Sequence, residues 1–149
     1  MLPEVRPVVQ IMPLLAAVLF FSLSLLSAAA WPEGKTSKWN GYQRLDFALP
    51  DDGARCIIVR PKQAGAGNPW IWRARFWGHQ PALDLQLLEK GFHLAYCEVG
   101  GLFGARAAVK RWDMFHALAV REGLSPRPVL EGMSRGGLII FNWASANPE

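Results

Sequence analysis

The chain has 149 residues, of which 51% are hydrophobic and 19% are charged. This composition excludes a disordered chain and provides enough apolar side chains for one domain with a core of its own. The formal net charge is +4, but the basic residues are spread along the chain without a Lys/Arg block. Such a distribution is typical of a solvated surface and not of a nucleic-acid interface. The seven Trp residues predict a heavily packed core, an aromatic-lined pocket, or both.

The N-terminal segment differs in kind from the rest of the chain. Residues 8–30 are almost wholly apolar, and they end in three alanines before a polar segment. Small residues directly after the apolar region are typical of a signal-peptidase cleavage site. We therefore predict a signal peptide over residues 1–30, cleaved after Ala30, and a secreted or periplasmic mature domain over residues 31–149. The alternative is an uncleaved membrane anchor, because the apolar segment is long enough to span a bilayer.

The first half of the mature chain has the pattern of strands joined by turns. Residues 42–49 alternate between apolar and polar side chains, which is the period of a half-exposed strand. A turn at residues 50–53 joins them to a return strand at 54–60, so that the two strands form a hairpin. The polar residues 34–40 are predicted to be a loop that leads into the hairpin. Residues 69–77 are predicted to be the next strand.

The second half alternates helices and strands. In chain order, the pattern predicts a short helix from residue 83 that ends at Gly91, a strand at 92–99, a helix at 107–122, a strand at 129–131 and a helix at 138–146. This alternation is typical of the α/β class, in which a parallel sheet carries helices on both faces.

A Gly-Met-Ser-Arg-Gly sequence at residues 132–136 lies between the last predicted strand and the last predicted helix. Gly-x-Ser-x-Gly in this setting predicts a nucleophile elbow, a sharp turn that exposes the side chain of Ser134 at its tip. The two glycines of the motif avoid crowding against neighbouring elements, and Gly137 is expected to let the helix pack closely on the sheet. The alternative is a tight turn whose serine caps the helix.

This stretch resembles the nucleophile elbow of the α/β-hydrolase family, and residues 43–149 are similar in element order to the first half of that fold. A closer likeness is to secreted bacterial proteins of the esterase and prolyl-oligopeptidase branches. The resemblance implies a mostly parallel sheet with an N-terminal antiparallel hairpin and helices on both faces. It also implies Ser134 as the nucleophile, and an oxyanion hole formed by the backbone N–H of Arg135 together with that of Phe76 or Trp77.

The same resemblance implies an acid and a histidine that follow the serine in the chain. After Ser134 the sequence contains a single carboxylate, Glu149, and no histidine. We therefore expect the chain to be either a fragment with an apparently truncated fold or catalytically incomplete. We also expect the 149-residue chain alone to be inactive, marginally stable and prone to aggregate, with the strand at 129–131 exposed along one edge of the sheet.

Three histidines are candidates for the missing base or for a pocket. His79 follows the strand at 69–77, and it is predicted either to line the pocket or to be an ordinary loop residue. His93 falls in a predicted central strand and His116 in a predicted helix, so both are interpreted as core or surface residues.

Two arginines, Arg73 and Arg75, are predicted to share one face of the strand at 69–77. Arg75 is closer to the end of the strand at which open sheets bind ligands, where it is a candidate to recognise an anionic substrate group. The alternative is a structural ion pair with Asp84 or Glu98, because a charge on an interior strand must be paired or reach water.

The two cysteines, Cys56 and Cys97, lie in predicted buried strands, and their positions are compatible with a disulfide or with two free thiols. The sequence contains no cluster with metal-ligand spacing and no phosphate or dinucleotide loop. We therefore expect neither a metal nor a cofactor.

Together these features predict a secreted serine hydrolase that cleaves a carboxylic ester or a peptide bond through an acyl-enzyme on Ser134. Its expected partner is a small-molecule ester or peptide substrate and not a nucleic acid. A membrane is expected as a partner only if the N-terminal segment stays uncleaved. The alternative is a non-catalytic exported binding protein.

Overall fold

The computed structural model describes residues 30–148. The predicted signal peptide and its alternative, the membrane anchor, lie outside the described residues apart from Ala30. The described elements are β1 (Gly34–Trp39), β2 (Tyr42–Ala48), β3 (Arg55–Arg60), β4 (Trp70–Ala74), α1 (Ala82–Glu89), β5 (His93–Cys97), α2 (Arg106–Arg121), β6 (Val129–Gly132) and α3 (Gly136–Ala146). None of these three helices is long and apolar enough to cross a membrane.

The six strands form one mixed sheet in the order β1-β2-β3-β5-β4-β6. The pairings β1–β2, β2–β3 and β3–β5 are antiparallel, whereas β4–β5 and β4–β6 are parallel. The prediction of a mostly parallel, α/β-hydrolase-like sheet is therefore wrong. Strands β4, β5 and β6 run in the same direction because a helix connects β4 to β5 and another connects β5 to β6. The strands β1, β2 and β3 are joined without a helix, and β3 runs antiparallel to its neighbour β5.

The polar residues 34–40, predicted to be a loop, instead form β1 and the start of its turn. The turn to β2 is made by Asn40 and Gly41, whose φ angles are +48° and +83°. Two successive left-handed residues suit the two-residue turn that matches the twist of a hairpin. Five of the six residues of β1 are exposed, so this strand lacks the apolar alternation that marks a half-buried strand.

The other predicted strands and helices are confirmed, with ends that differ by a few residues. A notable difference is at the strand predicted over residues 69–77, which ends at Ala74. Arg75 and Phe76 have φ angles of +64° and +47°, in the left-handed region that no extended strand uses. Arg75 therefore does not share a strand face with Arg73, and that prediction is wrong.

Helices cover both faces of the sheet. On one face α2 and α3 enclose an aromatic core in which Trp72 stacks on Trp112, with ring centroids 3.9 Å apart, and the edge of Trp143 meets Trp72 at 5.1 Å. On the other face Leu88 of α1 packs with a smaller cluster that includes Tyr96. The packed aromatic core expected from the tryptophan content is confirmed. It packs against the face of the parallel strands that α2 and α3 cover.

Candidate active site

The parallel strands bring three loops to one end of the sheet. Ala74 and Gly132, the last residues of β4 and β6, are paired, and Arg73 is paired with Tyr96 near the end of β5. The loops that follow these strands therefore begin side by side, at an end that we call the carboxyl edge. Such an edge is where parallel strands present ligand-binding loops. Ser134 follows β6 at this edge.

The turn around Ser134 has the geometry that its glycines predict. Ser134 is exposed and has a φ angle of +51°. A Cβ on Gly132 would collide with Ile140 of α3, and a Cβ on Gly136 would collide with the carbonyl oxygen of Ala74. These two glycines therefore let β6, β4 and α3 approach closely.

Gly137 does not have the packing role predicted for it. A Cβ on Gly137 would meet no atom within 4 Å. The close approach of the helix to the sheet depends instead on Gly136, one residue earlier, because its Cα faces the end of β4. The prediction that Gly136 avoids crowding against a neighbouring element is confirmed, and the separate packing role for Gly137 is wrong.

The serine does not cap α3. The residue at the N-cap is Arg135, and no side chain makes a capping hydrogen bond there. The first turn is closed by backbone bonds, in which Gly136 donates to the Met133 carbonyl at 2.8 Å and Gly137 to the Ser134 carbonyl at 3.0 Å. The alternative of a helix-capping serine is therefore wrong, and the Ser134 hydroxyl is left exposed at the helix N-terminus, where the helix dipole favours negative charge.

The predicted oxyanion donors lie in the turn and in the neighbouring loop. Among the described residues, the backbone N–H groups of Arg135, Phe76 and Trp77 donate to no backbone carbonyl. The side chain of Trp77 points elsewhere, since its ring packs on Trp39 and Tyr96 with centroids 5.4 Å and 5.6 Å away. A role for Trp77 at the carboxyl edge is therefore limited to its backbone.

A buried ion cluster ties this loop to the elbow strand. Arg73 is 3% exposed, and its Nη1 lies 3.1 Å from a carboxylate oxygen of Glu131 in β6 and also donates to Asp84 of α1. The ion pair with Asp84, which was the alternative for Arg75, is made by Arg73 instead. Glu131 was missed, although a charged residue inside a strand, directly before the motif, signals a buried partner.

The two carboxyl groups of this cluster share one guanidinium. Asp84 is completely buried, and its pKa is raised to about 7, first because burial disfavours its charged form and then because Glu131 lies against it. The guanidinium of Arg73 acts in the opposite direction. One oxygen of Asp84, Oδ1, is buried and has no hydrogen-bond partner.

Arg75 has a different environment from Arg73. Its guanidinium lies 5.4 Å from the ring centroid of Phe76, and none of the ion pairs in residues 30–148 includes it. The predicted pair with Glu98 is not formed, since the carboxylate of Glu98 accepts from the Tyr96 hydroxyl and the Gly100 N–H instead. Burial first, and then Glu98, raise the pKa of Tyr96. Arg75 is thus a half-buried cation at the carboxyl edge.

All three histidines lie in the described residues, and they occupy opposite ends of the sheet. His93 begins β5 and faces the Pro69 carbonyl, with its pKa lowered chiefly by burial. His116 contacts the Pro126 carbonyl at 2.8 Å, ahead of β6. Both are therefore remote from Ser134, as predicted for core or surface residues. His79 alone of the three lies in a loop at the carboxyl edge, where its side chain is exposed.

A cavity of about 480 Å³ lies at the opposite end of β6 from Ser134. Its lining includes His116, Leu130 and Trp143. Within residues 30–148, no group of three metal-ligating side chains could hold a metal ion.

No protein-family model, no curated protein and no solved structure matches this chain. Membership of the α/β-hydrolase family therefore stays a prediction.

Proposed function

We propose that this protein is a serine hydrolase that cleaves a carboxylic ester or a peptide bond through an acyl-enzyme on Ser134. One observation carries the proposal: Ser134 is exposed, with a φ angle of +51°, in a strand–turn–helix connection in which Gly136 leaves no room for a side chain beside the Ala74 carbonyl. Where a turn serves only to reverse the chain, a residue with a positive φ angle is usually glycine or asparagine. A strained serine is retained where its hydroxyl is used.

In the proposed reaction, groups of the turn and of the neighbouring loop at the carboxyl edge take separate steps of acyl transfer. The hydroxyl oxygen of Ser134 attacks the substrate carbonyl carbon, and its proton passes to a base. The resulting oxyanion accepts hydrogen bonds from the N–H of Arg135 and from that of Phe76 or Trp77. The leaving group departs with the proton, and water then hydrolyses the acyl-enzyme. His79 is the candidate base among the described residues, because the other two histidines lie at the far end of the sheet.

The proposal predicts covalent labelling of Ser134 by a fluorophosphonate probe. The full-length gene product is treated with the probe, and peptide mass spectrometry identifies the labelled residue. Labelling and p-nitrophenyl acetate hydrolysis are expected in the wild type and in Ser145→Ala, a control that changes an exposed serine of α3. Both are expected to be lost in Ser134→Ala. A wild-type protein that resists labelling, or label and turnover that survive in Ser134→Ala, would contradict the proposal.

The second candidate is a non-catalytic binding protein, and a specific observation favours it. The cavity of about 480 Å³ lies away from Ser134, and its volume falls in the range of small-molecule sites. Absence of Ser134 labelling in the experiment above would favour this candidate over the hydrolase.

A further inference from the structure

The side chain of Arg73 binds groups from three different parts of the carboxyl edge. It reaches Asp84 in α1 and Glu131 in β6, as described above. Its Nε donates to the carbonyl oxygen of Phe76 at 3.3 Å, and its Nη2 donates to the carbonyl oxygen of His79. All three guanidinium nitrogens are thus engaged, and the loop between Phe76 and His79 is held at both ends by one buried side chain.

This loop would not keep its conformation unaided. Arg75 and Phe76 are consecutive non-glycine residues with positive φ angles, a combination that persists only where the surroundings impose it. The loop makes one backbone bond of its own, from the N–H of His79 to the Phe76 carbonyl at 3.1 Å. The guanidinium of Arg73 adds a second bond to that Phe76 carbonyl and one to the His79 carbonyl.

The two carboxyl groups hold the guanidinium in place. Glu131 lies two residues before Met133 on the elbow strand, so its contact with Arg73 ties the position of the loop to the position of Ser134. The carboxyl group of Asp84, from α1, contacts the same Nη1 of Arg73. The guanidinium of Arg73 is therefore fixed by two carboxyl groups on one side and binds the two loop carbonyls on the other.

We propose that Arg73 is a positioning residue that aligns the N–H groups of Phe76 and Trp77 with the oxyanion formed at Ser134. This inference rests on the proposed function. Arg73 touches neither the substrate nor Ser134, and it acts through the loop that carries the donors. Because oxyanion donors act on the transition state, their misalignment lowers kcat and leaves KM nearly unchanged.

The test compares Arg73→Lys and Arg73→Met in the full-length protein. Lysine keeps the buried charge but cannot present donors in several fixed directions, so it separates geometry from charge. We expect both variants to lower kcat for p-nitrophenyl acetate by about 10- to 100-fold, with KM within about two-fold of the wild type. The rate of fluorophosphonate labelling at Ser134 is expected to fall in parallel.

A control variant separates positioning from loss of stability. Leu118 is buried near the end of α2, away from the carboxyl edge, so Leu118→Ala lowers Tm without touching the loop. It is expected to leave kcat unchanged at temperatures where it is folded. If the Arg73 variants also lower Tm but leave kcat unchanged, as Leu118→Ala does, the positioning role is overturned.

The outcomes distinguish this inference from the proposed function. A wild-type protein without labelling at Ser134 overturns both. A labelled wild type with full activity in Arg73→Lys overturns the positioning role alone. If Arg73→Met does not fold, Arg73→Lys carries the test, together with hydrogen exchange of the amides at residues 76–79. Faster exchange at those amides is expected in Arg73→Lys, and unchanged exchange contradicts the inference.

Discussion

Two neighbouring glycines after Ser134, Gly136 and Gly137, have different surroundings, so an added methyl group should affect stability differently at each. The Cα of Gly136 faces the carbonyl of Ala74 on β4, whereas that of Gly137 faces open space. Both residues belong to the first turn of α3, so helix propensity affects them alike. What differs between them is the contact with the sheet.

We predict opposite effects of alanine at these two positions. Gly136→Ala forces β4 and α3 apart and should lower the free energy of unfolding by about 1–3 kcal/mol. Gly137→Ala should raise it by about 0.5–1 kcal/mol, because alanine is the better helix former and meets no neighbour. Urea unfolding of the two variants, followed by circular dichroism, checks this. Equal effects would mean that the helix does not approach the sheet as described.

The paired charges of the site are harder to predict from the sequence than its glycines. Arg73 and Glu131 are 58 positions apart in the chain, and they meet because β4 and β6 are neighbours. A charge in an interior strand predicts a partner, but only strand order decides which residue it is.

At the scale of elements, the junction between β3 and β5 joins the antiparallel part of the sheet to the parallel part. Cys56 and Cys97 are direct partners across this junction, and both are buried free thiols. The hydrogen bond to Cys56 first, and then burial, raise the pKa of Cys97. The N–H of Glu98 donates to the Arg55 carbonyl at 2.9 Å, which makes the neighbouring cysteines a non-hydrogen-bonded pair.

We predict that these two cysteines form a disulfide when the protein refolds with glutathione disulfide. Non-hydrogen-bonded partners have Cα atoms about 4.5 Å apart, inside the range that a disulfide spans. Two thiols would lose two protons and two electrons to the oxidant, which becomes reduced glutathione. The cross-link should stabilise the fold by about 3–5 kcal/mol, given a closed loop of this length.

Mass spectrometry and thiol counting under denaturing conditions check the cross-link. The oxidised chain should be two hydrogen atoms lighter than the reduced chain, and it should no longer react with maleimide until it is reduced. Cys56→Ser serves as the control that cannot close the loop. Two reactive thiols after oxidative refolding would contradict the register of β3 and β5.

At the scale of the whole molecule, β6 is an edge strand, as expected for the strand at residues 129–131. Val129 is 47% exposed, and on α3 Leu138 and Phe141 are 45% and 78% exposed. Ile139 and Trp143, on the same helix, are buried. The unpaired backbone of an edge strand beside exposed apolar side chains favours association with other chains.

We predict that the chain of residues 31–149 self-associates and that Phe141→Lys weakens the association. Burial of a phenylalanine contributes about 1.5–3 kcal/mol, so its replacement should raise the dissociation constant about ten-fold or more. Sedimentation equilibrium measures the effect. Leu83→Lys, at an exposed leucine of α1, is the control and should change little. A monomeric wild type, or an equal effect of both variants, would contradict the prediction.

The sequence by itself determined the local structure of this protein. The hairpin of β2 and β3, the three helices and the exposed turn at Ser134 follow from periodicity and turn residues that act over a few positions. Strand β1 was missed because its exposed residues carry no apolar alternation, although Asn40 and Gly41 are a hairpin signal.

The tertiary structure alone decided how these elements meet. The antiparallel pairing of β3 with β5, the end of β4 at Ala74 and the contact of Arg73 with Glu131 all depend on residues far apart in the chain. Periodicity reports which face of an element is buried, and the same buried face can pack beside a parallel or an antiparallel neighbour. Strand direction and the partners of buried charges are therefore properties of the folded sheet.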